Sequence, residues 1–411
     1  MRGSAARRQL RLAALGVAAI FLVGTLGPVA SATPSAPTRT TAQSPASADP
    51  DGLQGLVQRI VDAGAPGATL LVRDGVSTRT YTSGVADESS GRVLQPADDF
   101  RVGSITKSFV ATLTLQLVDR GAIVLDAPIA TYLPHLLPDG AHITVRQLLQ
   151  HTSGLFDYTG DPEFTKGLLA RRSWHPRELV ALSAKHDVLF PPGTQWSYSN
   201  TNYIVLGILV RTVGDAGMKQ QLEDRIIGPL DLDSTRFYVH ARHIVEPHSH
   251  GYAIRRSGDL WDVTSRFEPS WAWTAGALVS NDMDLATFYR ALLSGQVLPK
   301  ALLAEMKDTV PAGAGVGYGL GLLSENLACG TAWGHDGLYV GYYVLALTSE
   351  DGNHQAVLAM NLDPANGYPP PGLIDAFAAA VSGGYCGTDG EAPPPSTPGP
   401  DAPTAVLPDG S

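Results

Sequence analysis

The chain is short of several things, and each shortage excludes something. It has two cysteines in 411 residues, which cannot build a metal site alone. Basic residues are scarce: 29 Lys and Arg stand against 39 Asp and Glu, a formal charge of −10. That balance argues against nucleic acid or anionic lipid as a partner. Beyond Ala30 no apolar run is long enough to span a bilayer, so no stable membrane anchor is expected. No internal repeat recurs along the chain. Recognised metal-ligand spacings such as His-Glu-x-x-His are also missing. His240, His243, His248 and His250 crowd one stretch with Glu246, but Pro247 breaks any helix there. The stretch reads as a surface loop, and neither a metal nor another cofactor is expected.

What is present suffices for a real core. The hydrophobic share is 44%, enough at this length for one large or two medium domains. Residues 1–32 read as a secretory signal peptide: Arg2, Arg7, Arg8 and Arg11 precede the apolar run Ala13–Ala30, and Ala30-Ser31-Ala32 fits a cleavage site. Residues 33–50, rich in Ala, Pro, Ser and Thr, read as a flexible spacer, and 387–411 as a disordered Pro- and Gly-rich tail. The folded body is then 51–386, in a secreted protein expected to be a monomer. In an exported chain the pair Cys329 and Cys386 reads as a disulfide tying the final helix to a sheet strand, the other reading being two buried thiols.

The periodicity predicts a helix at Leu53–Ala63 and a hairpin of Gly67–Arg73 and Thr78–Val85 around Asp74-Gly75. Helical spacing then dominates, at Ile105–Arg120, Val145–His151, Arg177–His186, Thr201–Val213, Lys219–Ile227 and Asp282–Leu293. Strand-like runs return at Tyr318–Leu323, Thr331–Gly334, Tyr339–Leu347 and Gln355–Leu362, before a closing helix at Gly372–Val381. The expected fold is α/β of the α+β kind. One antiparallel sheet is flanked by the N- and C-terminal helices, and a mostly helical domain is inserted in the middle.

Ser104-Ile-Thr-Lys107 heads the Ile105–Arg120 run. A serine at a helix start lies near unsatisfied N–H groups and the positive dipole end. A lysine three residues on shares its face, which sets an amine beside a hydroxyl, as activation of a weak nucleophile requires. The tetrad alone is unspecific. Two further motifs follow in order: Tyr198-Ser199-Asn200 before a helix, and His335-Asp336-Gly337, read as ending one late strand before the next.

Ser-x-x-Lys, then Tyr-x-Asn, then His-x-Gly resembles the serine β-lactamase/D-alanyl-D-alanine carboxypeptidase superfamily. The resemblance is greatest to secreted soluble DD-carboxypeptidases and class C β-lactamases. Phe100–Ser104, Leu148–Leu155 and Tyr198–Asn202 support it. It implies the β-lactamase/transpeptidase-like fold and an acyl-enzyme on Ser104. Lys107 and Tyr198 move the proton, with the choice of acylation base left open between them, and His335 stands where lysine is usual. By the same resemblance Asn200 binds the substrate amide and holds Lys107. Gly337 lets the strand approach the substrate, and the N–H groups of Ser104 and Leu338 form the oxyanion hole. Trp271 resembles a cleft-wall aromatic, the alternative being a core tryptophan, and Thr159 a substrate contact, the alternative being a turn hydroxyl.

The expected activity is D-alanyl-D-alanine carboxypeptidase-like hydrolysis of small peptides or peptidoglycan stem peptides, with β-lactams as inhibitors or substrates. Esterase, D-amino-acid amidase and β-lactamase are the alternatives within the superfamily, and a non-turnover penicillin-binding module is the alternative outside enzymes. One departure bears on substrate. Where relatives place hydroxyls and an arginine to grip a terminal carboxylate, this chain has Asp336, Leu338 and Leu323. Aspartate repels a carboxylate and leucine cannot pair with one.

Overall fold

The computed structural model describes residues 50–365 and 369–387, which fall within one compact unit. The leader, the spacer and the tail expected from the sequence lie outside the described residues, except for residues 50 and 387 at their edges. Among the described residues no helix is long and apolar enough to cross a membrane.

A nine-stranded sheet organises the fold. Its strands are β1 (Gly67–Asp74), β2 (Ser77–Asp87), β3 (Arg92–Val93), β4 (Val310–Gly313), β5 (Val316–Tyr318), β6 (Leu323–Leu327), β7 (Gly330–Tyr339), β8 (Tyr342–Thr348) and β9 (His354–Met360). The spatial order is β3-β2-β1-β9-β8-β7-β6-β5-β4, and every pairing is antiparallel. The N-terminal hairpin thus joins the C-terminal meander through β1 and β9, in the register Leu70 with Leu358.

The central strands are buried on both faces, so β8 reads as an unbroken apolar run. Alternation assigns each side chain to a layer. Tyr343, Leu345 and Leu347 pack with Leu53, Leu56, Val57, Ile60, Phe377 and Val381. These last belong to α1 (Pro50–Asp62) and the final helix, α5 (Leu373–Cys386). Val344 and Ala346 face the opposite layer, which is built on Phe109, Val110, Tyr203, Ile204, Phe288 and Leu292. These come from α2 (Thr106–Asp119), α3 (Asn200–Val213) and α4 (Asp282–Leu293). Polar residues survive inside α2 because their hydroxyls are satisfied locally: Thr112 and Thr114 donate to the carbonyls of Ser108 and Val110, each at 2.8 Å. Cys329, in the β6–β7 turn, is bonded to Cys386 at the end of α5, as the cysteine pair suggested.

Four expectations need correction. Tyr318–Leu323 is not one strand: it runs from the end of β5 to the start of β6 through a reversal at 319–322. Tyr339–Leu347 spans a second reversal, at Val340-Gly341. His335-Asp336-Gly337 lies within β7, not at a strand end; Gly334 and Gly337 are extended residues where another backbone comes close. The final helix runs past Val381 to Cys386 through Gly383, where a Cβ would stand 2.5 Å from Leu56 Cδ1.

Candidate active site

Ser104 sits in a 3₁₀ turn, Gly103–Ile105, that leads into α2. The turn is anchored by Val102 N–H donating to Leu278 O and by Leu278 N–H donating to Thr106 Oγ1, both at 3.1 Å. Gly103 holds φ +50°, and a Cβ there would meet the Leu338 carbonyl oxygen at 2.4 Å and its nitrogen at 2.8 Å. A Cβ on Gly337 would lie 1.9 Å from Val102 O. Two glycines therefore let β7 lie against the nucleophile turn. Beyond Gly334, β7 pairs only with β8, since β6 ends opposite that residue. The backbone of Leu338 thus runs beside that of Ser104, the pair the resemblance assigns to the oxyanion.

Lys107 is on the first turn of α2 and is 0% exposed; Ser104 is 5% exposed. The Lys107 Nζ donates to Ser104 Oγ at 2.7 Å, to Asn200 Oδ1 at 2.8 Å and to Ala275 O at 2.8 Å. Three acceptors match the three protons of an ammonium. The same nitrogen lies 4.7 Å from the centre of the Tyr198 ring, within cation–π range. Asn200 opens α3, and its amide is oriented by Asp157, whose Oδ2 accepts from Asn200 N at 3.0 Å and from Nδ2 at 2.9 Å. That leaves Asn200 Oδ1 aimed at Lys107. Ser104, Lys107, Tyr198 and Asn200 are therefore assembled as the motif order implies.

Tyr198 stacks on His151, with centroids 4.2 Å apart. Burial, and next the charges of Lys107 and His335, hold His151 well below the usual imidazole range, so it is neutral. Its Nδ1 accepts from Ser199 N–H at 3.1 Å, which places its proton on Nε2. Beyond His151 stands Tyr318, ring centroids 4.8 Å apart, and the Tyr318 hydroxyl lies 2.9 Å from Nε2 of His335. His335 is 0% exposed. Its Nδ1 is 2.5 Å from the Asp336 carbonyl and 3.4 Å from the Asp336 carboxylate. A carbonyl only accepts, so Nδ1 carries a proton, while Nε2 shares a hydrogen bond with the Tyr318 hydroxyl.

The remaining expected residues stand further out. The Leu338 side chain packs in the layer beneath α1 and α5, so its backbone alone adjoins Ser104. Trp271 is a core tryptophan, packed on Tyr339 and Phe164. Thr159 is a turn hydroxyl that donates to Asp157 Oδ1 at 2.9 Å. Sequence reasoning missed Asp157, His151 and Tyr318. His151 lay in a supporting stretch without a role, Tyr318 was assigned to a strand, and Asp157 carried no signal beyond its closeness to Thr159. A cavity of about 570 Å³ lined by Arg211, Met218, Phe237, Tyr238 and Trp273 contains none of these groups.

A family described as beta-lactamase matches residues 53–380. The solved structure of a D-stereospecific amidohydrolase from Streptomyces sp. is 38% identical, with a TM-score of 0.75 over 83% of this chain and 99% of that one. A D-amino acid amidase from Ochrobactrum anthropi SV3, complexed with D-phenylalanine, is 30% identical, with a TM-score of 0.73 over 81% and 96%. Penicillin-binding protein 4 of Amycolatopsis lactamdurans is 30% identical over 247 residues, 57% of this chain and 61% of its own length.

Proposed function

We propose that this chain, which belongs to the beta-lactamase family of serine hydrolases, is an exported D-stereospecific amidohydrolase that does not require a free carboxylate on its substrate. Ser104 Oγ attacks the carbonyl carbon, and its proton passes to Tyr198, or to Lys107 in its deprotonated, neutral form. The developing oxyanion is met by the N–H groups of Ser104 and Leu338. The leaving amine takes the proton as the bond to it breaks, and water then cleaves the Ser104 ester. Tyr198, next to Lys107 and stacked on neutral His151, is the group suited to return the proton.

The observation that carries the substrate assignment is the state of His335. It is the cation-capable group of the third motif, yet both its nitrogens are engaged within the protein, with Tyr318 and with Asp336. The third motif therefore offers a terminal carboxylate no free cation and adds the Asp336 carboxylate, whereas an amide or ester would not be opposed. The D-stereospecific amidohydrolase and the D-amino acid amidase support the same reading.

The second reading is a D-alanyl-D-alanine carboxypeptidase acting on cell-wall peptides, favoured by the His-x-Gly motif and by the penicillin-binding relative. The two separate in one hydrolysis panel: a D-Ala-D-Ala peptide, its C-terminal amide, and D- and L-phenylalanine amides. The expected result is comparable or faster turnover of the amide than of the free acid, with D over L. Preference for the free acid by a hundredfold, about 2.7 kcal/mol, overturns it.

A further inference from the structure

The histidine-rich stretch is drawn together in three dimensions. A carboxylate oxygen of Glu246 and one ring nitrogen each from His248 and His250 lie within 4.8 Å of one another. His240 is elsewhere, with its Nδ1 at 2.7 Å from Glu268. The two clustered imidazoles are parallel, with centroids 5.1 Å apart and 3° between planes.

The segment is fixed on a frame. His248 bridges Asp99. Ser249 N–H donates to Asp99 O at 2.9 Å, and His250 N–H to Ala86 O at 2.7 Å. The Tyr342 hydroxyl donates to Ser249 O at 2.9 Å. The backbone that carries the two imidazoles is therefore held in place before any ligand arrives.

Two observations separate this cluster from a solvated surface. His248 is 7% exposed, and its Nδ1 has no hydrogen-bond partner among the described residues, although Glu246 Oε1 stands 3.2 Å away. That gap is close to the about 3.3 Å between ligand atoms on a tetrahedral ion with bonds of about 2.0–2.1 Å. The Nδ1 of His250 lies 2.8 Å from Asp262 Oδ2, which leaves Nε2 for a ligand. A carboxylate on the far nitrogen is how metal-ligating imidazoles are oriented. Asp87 adds a second acid, 3.8 Å from the same Nδ1. Arg92, which donates to the His248 carbonyl, has its charge paired with Asp98.

We propose that Glu246, His248 and His250 bind one divalent transition-metal ion, with zinc favoured by the set of two imidazoles and one carboxylate and water filling the fourth position. The ion cross-links three residues within the Glu246–His250 segment. It has no assigned part at Ser104: the Lys107 amine there is held by Ser104, Asn200 and Ala275, and the cluster leans on Asp262. Binding to the folded chain alone raises the melting temperature.

The test uses the full-length protein, stripped with chelator, dialysed, and titrated with zinc chloride by calorimetry. Metal analysis after gel filtration and a thermal melt accompany the titration. One zinc per chain and a higher melting temperature are expected. Glu246→Gln and His250→Asn should each weaken binding by about tenfold or more, with circular dichroism and Ser104 labelling unchanged. His248 is left alone because it is buried. A stripped protein that takes up no zinc, or variants that both bind as the unaltered chain does, overturns the proposal.

Discussion

Replacing Lys107 by methionine removes a buried amine while keeping an unbranched side chain of similar reach. Three acceptors lose their donor: Ser104 Oγ, Asn200 Oδ1 and Ala275 O. An unsatisfied buried acceptor costs about 1–3 kcal/mol. Against that, the substitution relieves the desolvation of a buried charge, itself worth several kcal/mol. The two effects oppose one another, so the melting temperature should move little. The rate has no such compensation. A positioned proton-transfer group contributes about 10²–10⁴-fold, or about 2.7–5.4 kcal/mol in the barrier at about 1.36 kcal/mol per decade. The assay is the rate of covalent labelling by a fluorescent penicillin, followed on a gel, with circular dichroism as the check on folding. Tyr198→Phe is the companion variant, since it keeps the ring stacked on His151 and loses only the hydroxyl; it should show a loss of the same order. Labelling by both folded variants within about tenfold of the unaltered protein refutes the assigned roles.

Asp157→Ala frees the Asn200 amide. Losing a hydrogen bond to a charged group costs about 1.5–3 kcal/mol, so labelling should slow by about ten- to a hundredfold, with partial recovery in Asp157→Asn, which keeps one acceptor oxygen. An unchanged rate in Asp157→Ala removes Asp157 as a positioning residue. The Cys329–Cys386 bond closes a separation of 57 residues, for which chain entropy gives about 4 kcal/mol. The double serine variant should melt lower, and identical melts would contradict this. Burial pushes the Asp282 carboxyl up to about 7, above its unfolded value of 3.8. The folded state therefore holds the proton more tightly, and stability falls as pH rises through that window. Asp282→Asn should melt higher than the unaltered protein at pH 8, with the gain vanishing near pH 4; a gain independent of pH would refute the cause.

Long periodic segments were legible in the sequence. Asp282–Leu293 is a helix over the residues its spacing predicted, and the hairpin of Gly67–Asp74 with Ser77–Asp87 turns at the Asp74-Gly75 pair. Ser104, Lys107, Tyr198 and Asn200, which the structure brings together, were legible through the order of three motifs and the resemblance that order carries, the tetrad alone being unspecific. The glycines of β7 were not, since a glycine at a turn and a glycine under another backbone look alike until Val102 is placed against Gly337. Asp157, His151 and Tyr318 were illegible for a related reason. They act through contacts that join residues far apart in the chain, such as Asp157 with Asn200 and Tyr318 with His335, and no local spacing encodes these. The three-residue cluster at Glu246 was read as a loop because Pro247 excludes a helix, yet a frame of backbone bonds from other segments gathers it all the same.

Everything proposed for catalysis rests on an ester at Ser104. The most direct measurement is peptide mapping by mass spectrometry after brief incubation with a penicillin or a fluorophosphonate. Tryptic cleavage after Arg101 and Lys107 isolates Val102–Lys107, a six-residue peptide in which Ser104 is the one serine. The adduct should be found on that peptide, and Ser104→Ala should carry none while keeping its circular dichroism. An adduct on any other peptide, or undiminished labelling of Ser104→Ala, contradicts the assignment of the nucleophile.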